Sequence, residues 1–407
     1  MKKTIKLAVV AALALGTTSA FATNGAALIG MGAEARGMAG TGIGMAHGAE
    51  SALVNPALIT SVKNTEISFG GTFFMPDVSY ASQGGTTADS DADLSVIPEV
   101  SLATKINDNF YVGIGMWGTG GMGVDYRDAA ASAGTMNMVT NLQLMQFGVP
   151  LAYTTNGFSV ALTPILQYGS LDINYDMDGN PSNGVMGMGV AQDLEFGYNI
   201  GLAYEISGFT VGAIYKSQID MEYKGFANLV QPFINPGSPA YTNNKLSTPA
   251  EMGLGVSYAM AEHTFALDYK QIKWSDAKGY EDFEWDDQNV ISLGYEYKTK
   301  GWAARLGYNY ASSPISQKSM AYNNSAGLNG DTINMFNLLG FPGIVESHYA
   351  VGGTYSLNEQ TSVDLAFTYA PEKTETYKAY NPTAGQEYEI TTKHSQTGVS
   401  AQLNYNF

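Results

Sequence analysis

The sequence predicts an all-β fold: a transmembrane antiparallel β-barrel of about 14 strands, with an N-terminal hatch plugging the lumen. Three observations carry this. Apolar and polar side chains alternate with a period of two along most of the chain. The alternating segments are joined by connections that are short at one end and long at the other. The composition also suits strands: 12% of the 407 residues are aromatic, with 26 Tyr and 17 Phe, and only 14% are charged. The formal charge of −17 argues against nucleic-acid binding, which needs basic patches. The absence of Cys excludes disulfides, zinc–thiolate sites and a cysteine nucleophile.

Residues 1–22 read as a secretory signal peptide. Lys2, Lys3 and Lys6 form its positive end, Leu7 to Leu15 its apolar core, and Ala20-Phe21-Ala22 a small-x-small cleavage site. Removing those three lysines takes the formal charge from −17 to −20. No later stretch holds 18 consecutive apolar residues, so a helical span is not expected. The mature chain is therefore expected to be exported and not a helical membrane protein, and the barrel pattern makes the bacterial outer membrane its expected location. Residues 23–62 follow as the hatch. Gly25, Gly30, Gly32, Gly37, Gly40, Gly42, Gly44 and Gly48 are interleaved there with Ala and Met, too small for a strand. A wide barrel that is not an open pore needs such a filling; the alternative is a flexible periplasmic extension.

Residues 63–407 are the barrel. Strands are expected at 64–79, 96–106, 109–118, 138–154, 157–176, 192–206, 208–223, 246–259, 262–274, 287–298, 301–312, 345–356, 360–370 and 395–407. In the last, Val399, Ala401, Leu403, Tyr405 and Phe407 share a lipid-suited face, and Ser400, Gln402, Asn404 and Asn406 a water-suited one. Trp302, Ala304, Leu306 and Tyr308 alternate in the same way with Ala303, Arg305 and Gly307. Charges fall on the inner face, because one facing lipid costs about 2–4 kcal/mol at mid-bilayer. In the fourth strand Leu142 and Leu144 are out of phase with Phe147, Val149 and Leu151, and a bulge is expected to reset the phase. The long connections 80–95, 119–137, 177–191, 224–245, 275–286, 313–344 and 371–394 are outer loops. The short ones are periplasmic turns, and an even strand count brings both ends of the barrel to the periplasmic side.

Asn55-Pro56-Ala57-Leu58-Ile59-Thr60 follows the Gly/Ala-rich segment and opens into the first strand. With Arg36-Gly37-Met38-Ala39-Gly40 upstream and the terminal Asn404-Tyr405-Asn406-Phe407, it resembles the outer-membrane long-chain fatty-acid transporters of the FadL/TodX type. The resemblance implies passive uptake of hydrophobic molecules, fatty acids in some members and aromatic hydrocarbons in others. It implies capture by apolar outer loops, transfer to a barrel pocket, and lateral release near a kink of strand three under control of the hatch. Gly118 and Gly120, at the end of the expected third strand, suit that kink. Asn55, Pro56 and Ala57 mark the hatch junction. A general porin for polar solutes is the other reading, which the plug-like segment argues against.

Candidate capture residues are Phe226, Leu229, Val230, Phe233 and Ile234 in the outer loop 224–245, spaced for one apolar helix face, with Met186 and Met188 in 177–191. The alternative is that they pack the two loops together as a lid. Arg36, Lys216, Lys270 and Arg305 are candidates to hold a substrate carboxylate. Gly113 to Gly118 spells G-x-G-x-x-G, but inside a strand with no helix following, which does not fit a nucleotide site. Asp89, Asp91 and Asp93 begin like a calcium loop yet lack its glycine and glutamate. His47, His263, His348 and His394 show no ligand spacing, and no catalytic set is found. No enzyme activity, cofactor or metal is expected. The expected partners are a long-chain fatty acid or other hydrophobic small molecule, outer-membrane lipid and lipopolysaccharide, and assembly machinery engaging Phe407. A monomer is expected.

Overall fold

The computed structural model describes residues 24–177, 184–381 and 386–407; the expected signal peptide, 1–22, lies outside them. One antiparallel sheet closes on itself, first strand against last, from Glu66↔Asn406 to Ser82↔Ile390. Two of its seventeen hydrogen-bonded segments are two-residue arms in outer loops, Ala88–Asp89 and Met186–Gly187. Two others are halves of one interrupted strand, which leaves 14 spans. In chain order these are β1 Thr65–Ser82, β2 Ser95–Lys105, β3 Phe110–Asp125, β4 Val139–Gly148 with Leu151–Thr155, and β5 Phe158–Tyr175. Then come β6 Ala191–Ile206, β7 Phe209–Lys216, β8 Glu251–Met260, β9 His263–Ile272 and β10 Gln288–Lys298. β11 Trp302–Ala311, β12 Ser347–Ser356, β13 Thr361–Asn381 and β14 Gln386–Asn406 complete the wall. Alternation sorts the side chains as a lipid solvent demands: Leu306 is 56% exposed while its neighbour Arg305 is 2% exposed. Among the described residues no helix is long and apolar enough to cross a membrane.

Several strand limits differ from the sequence reading. β13 and β14 run on through most of the expected loop 371–394 as a hairpin standing above the membrane. There the outward face, with Glu372, Thr374, Thr376 and Lys378, meets water while Tyr377, Ala379 and Ile390 are buried toward the cap, so the lipid-type alternation that marks a span is missing. The strand expected at 208–223 stops at Lys216; the chain then leaves the wall and is held by isolated bridges such as Ile219↔Thr248. β3 continues to Asp125, so Gly118 and Gly120 lie within it rather than at its end. The phase reset expected in β4 does not occur. Its register with β5 is the same before and after the break at Val149-Pro150, and Leu142 and Leu144 face the lumen. The irregularity sits opposite, in β3, where Thr119 is the extra residue between Gly118 and Gly120.

Residues 24–62 lie inside the barrel, nearly all buried. They carry two short helices, α1 Ala33–Gly37 and α2 Ser51–Val54, and a 3-10 turn, Pro56–Ser61, that leads into β1. What lets this much backbone sit against the wall is a belt of inward glycines: Gly201, Gly212, Gly255, Gly294, Gly307 and Gly352. A Cβ at Gly255 would stand 2.5 Å from the Gly44 nitrogen, and one at Gly352 would stand 2.8 Å from the Gly37 Cα. Asp268 interrupts the belt, and its carboxylate accepts from the Gly42, Ile43 and Gly44 amides at 2.7, 2.8 and 3.3 Å. At the outer end, loop segments fold over the mouth as a cap. It includes α3 Phe226–Val230 and α4 Gly330–Met335, which continues as a π-helical turn, Phe336–Gly340.

Candidate functional site

Between hatch and cap lies a cavity in the lumen. Its floor is hatch backbone and Leu28, Met31, Ile43 and Leu53; its roof is Trp274 and Tyr280 of the cap. The wall supplies Leu142, Leu144, Ile214 and Val290, all on faces that in a water-filled pore would be polar. Strand register then places a polar row along one side, Asn199 beside Lys216 and Lys216 beside Glu251, with Lys270 opposite Gly253 on the next strand. Lys216 and Lys270 both reach Glu251 Oε2, each at 3.4 Å. Two ammonium groups thus share one carboxylate. The Asn199 amide nitrogen is buried without a hydrogen-bond partner, a costly state that a ligand acceptor would relieve. The fourth charge on the cavity wall, Asp268, is turned to the hatch amides.

The other two basic candidates serve the hatch. Arg36, on α1, pairs with Glu99 of β2 at 2.6 Å and donates to Thr72 of β1. Arg305 of β11 pairs with Glu34 of the hatch at 3.0 Å and with Glu296 of β10 at 2.7 Å, and lies 3.7 Å from Asp364 of β13. Neither lines the cavity. The junction residues act as a rivet. The Asn55 side chain donates to the Ile43 carbonyl at 2.7 Å and to the Leu202 carbonyl of β6 at 3.1 Å, and accepts from the Ala57 amide at 3.1 Å. Pro56 opens the 3-10 turn, where its missing N–H costs nothing.

Gly120 meets the first described residues, while Gly118 faces Ile97 and Pro98 of β2. β3 pairs with β2 only as far as Trp117↔Glu99; beyond that, the ladder of Val96, Ile97 and Pro98 runs with β1 and not with β3. The freed stretch of β3 is met from inside. Ala27 forms a bridge with Gly120, and the Gly121 amide donates to the Ala26 carbonyl at 3.0 Å. The wall is therefore broken between β2 and β3, at the level of the cavity, which Thr119 and Gly120 also line.

The apolar outer-loop residues are not an exposed capture surface. Phe226, Leu229 and Val230 are 2–4% exposed, while Phe233, Ile234, Met186 and Met188 are partly buried against them. α3 turns its apolar face inward, and Phe233 packs edge-on against Phe336 at 4.8 Å and lies 5.4 Å from Tyr175. Tyr175 donates to the Leu229 carbonyl at 2.7 Å. This is the lid alternative: segments from different loops bury their apolar faces on one another because outside the bilayer there is no lipid to cover them. Sequence reasoning missed Asn199, Trp274 and Tyr280. The out-of-phase Leu142 and Leu144 were the available signal for the cavity.

A 14-strand barrel filled from within and lined by an apolar cavity defines a class of outer-membrane channel. Residues 8–323 match the family described as outer membrane protein transport protein (OMPP1/FadL/TodX). The chain belongs to that family and is an outer-membrane transporter of hydrophobic compounds. It is 26% identical to the 47 kDa outer membrane protein of Pasteurella multocida (strain Pm70), over 90% of this chain and 92% of that one. It is 23% identical to the long-chain fatty acid transport protein of Escherichia coli (strain K12), over 81% and 85%. The crystal structure of a Pseudomonas aeruginosa FadL homologue shares the fold with a TM-score of 0.70 at 16% identity, covering 96% of this chain and all of that one.

Proposed function

We propose that the chain takes up long-chain fatty acids passively, holding the carboxylate at Asn199, Lys216 and Lys270. The hydrocarbon tail lies in the apolar cavity, and the molecule leaves sideways at the break between β2 and β3 once the hatch segment 24–28 withdraws. The observation that carries this reading is the unequal pairing in the cavity: two ammonium groups on one carboxylate, beside an amide with no partner. A carboxylate completes that set, whereas a neutral aromatic hydrocarbon would leave it as it is. The tail contributes about 0.8 kcal/mol for each methylene buried.

The test is growth of a deletion strain, carrying this chain on a plasmid, on a long-chain fatty acid or on toluene as sole carbon source. Growth restored on the fatty acid is expected, and growth restored on toluene alone would overturn the reading. Lys216→Gln with Lys270→Gln should lower fatty-acid uptake about tenfold, the value of one charge-assisted hydrogen bond, and leave uptake of the corresponding fatty alcohol unchanged.

A further inference from the structure

Carboxylates outnumber cations where the hatch meets the periplasmic half of the wall. Arg305 faces three of them at once, Glu34, Glu296 and Asp364. Glu50 of the hatch is a fourth acid beside this group, and its partners are neutral. It accepts from the Ala35 amide at 3.0 Å and from the Gln402 side chain at 2.6 Å. Arg36 gives it no relief, being taken up by Glu99 and Thr72. The remaining charges nearby are Glu66 of β1, which accepts from the Ala49 amide at 2.6 Å, Lys298 of β10, and His47, whose Nδ1 is 3.5 Å from Glu34. Glu34, Glu50, Glu66, Glu296 and Asp364 thus exceed Arg305, Lys298 and His47 by two, even with His47 protonated. A small vestibule lined by Glu34, His47, Glu66 and Lys298 reaches this cluster.

We propose that the seated hatch is a proton-dependent latch: Glu50 is protonated while the hatch is in place and ionises as the hatch leaves the wall. Burial, and then the negative charges of Glu34 and Asp364, push the Glu50 carboxyl well above its ordinary range. Glu34 differs: burial works against its ionised form too, but Arg305 and His47 more than offset that and hold it below the usual range. The direction of the effect follows from linkage. A group whose value is raised in the seated state stabilises that state at low pH and loses its effect as pH rises through the raised value. Freed in water, Glu50 returns to the ordinary value of a glutamate. Between that value and the raised one, each unit of pH therefore favours the unseated hatch by up to about tenfold.

This inference rests on residues 23–62 acting as the plug, and the experiment separates the two. Conductance of the full mature protein in planar bilayers is measured from about pH 5 to about pH 9, beside Glu50→Gln and a deletion of residues 23–50. Wild-type open probability should climb several-fold across the range, Glu50→Gln should stay flat, and the deletion should conduct at every pH. A flat wild-type profile beside a freely conducting deletion overturns the latch and leaves the plug standing. A wild-type rise that Glu50→Gln reproduces unchanged overturns Glu50 as the proton carrier, so the wild-type profile keeps the idea testable if that variant assembles poorly. A deletion no more conductive than the full chain overturns plug and latch together.

Discussion

Single side chains hold the hatch where its own secondary structure is too slight to do so. Asn55 joins three backbone stretches, the carbonyls of Ile43 and Leu202 and the amide of Ala57. Asn55→Ala takes a donor from the buried Ile43 carbonyl and breaks the tie to Leu202 of β6, at a cost of about 2 kcal/mol. We expect an unchanged barrel whose hatch unseats at lower temperature, seen as an earlier onset of conductance on warming. An onset equal to wild type would show that Asn55 is not the rivet. Arg305 is a different kind of device. A buried ion cluster contributes little net stability while intact and costs about 3–5 kcal/mol when one partner is removed, so it fixes where the hatch sits more than how firmly.

At the scale of elements, the cap and β3 differ in how far they could be read from sequence. The membrane strands were legible because lipid on one side and polar surroundings on the other force a period of two. Where that contrast ends, so does the signal. β13 and β14 continue above the bilayer with polar residues on the outward face, where lipid would require apolar ones, and β7 ends at Lys216 where the chain turns into the lumen. The cavity was half legible. Leu142 and Leu144 violate the alternation because they face the apolar cavity in the lumen, but sequence alone does not separate that from a bulge. The pairing of Lys216, Lys270 and Glu251 depends on strand register, and no local pattern encodes it. The apolar face of α3 was correctly grouped and wrongly aimed: Phe226 packs toward Phe283 and Tyr241 rather than outward. Phe226→Asp should therefore bury a charge and loosen the cap. Protease added to intact cells should cut within 224–245 in this variant and not in wild type, while the barrel stays folded. Resistance equal to wild type would mean that the cap does not depend on this packing.

The whole molecule is a cylinder built around its contents, closed by the long β1–β14 ladder. Phe407 lies at the end of that seam, its amide donating to the Thr65 carbonyl at 2.9 Å and its ring 63% exposed. A ring this exposed makes few contacts in the finished fold, and we propose that it acts during assembly. We expect Phe407→Ala to delay the appearance of folded barrel in pulse-labelled cells, and to leave the denaturation temperature of the purified protein unchanged. A matching loss of stability would assign the residue to the fold instead. The belt of inward glycines has a further consequence, in inheritance rather than mechanics. At those six positions the wall has given up side chains to accommodate one particular stretch of hatch backbone, so neither part can be exchanged alone. A recombination event that brings in a foreign hatch succeeds only if its contour fits the same hollows, and one that brings in foreign strands fails wherever a methyl group fills them. The two ends of this gene are therefore expected to travel together, as one heritable unit.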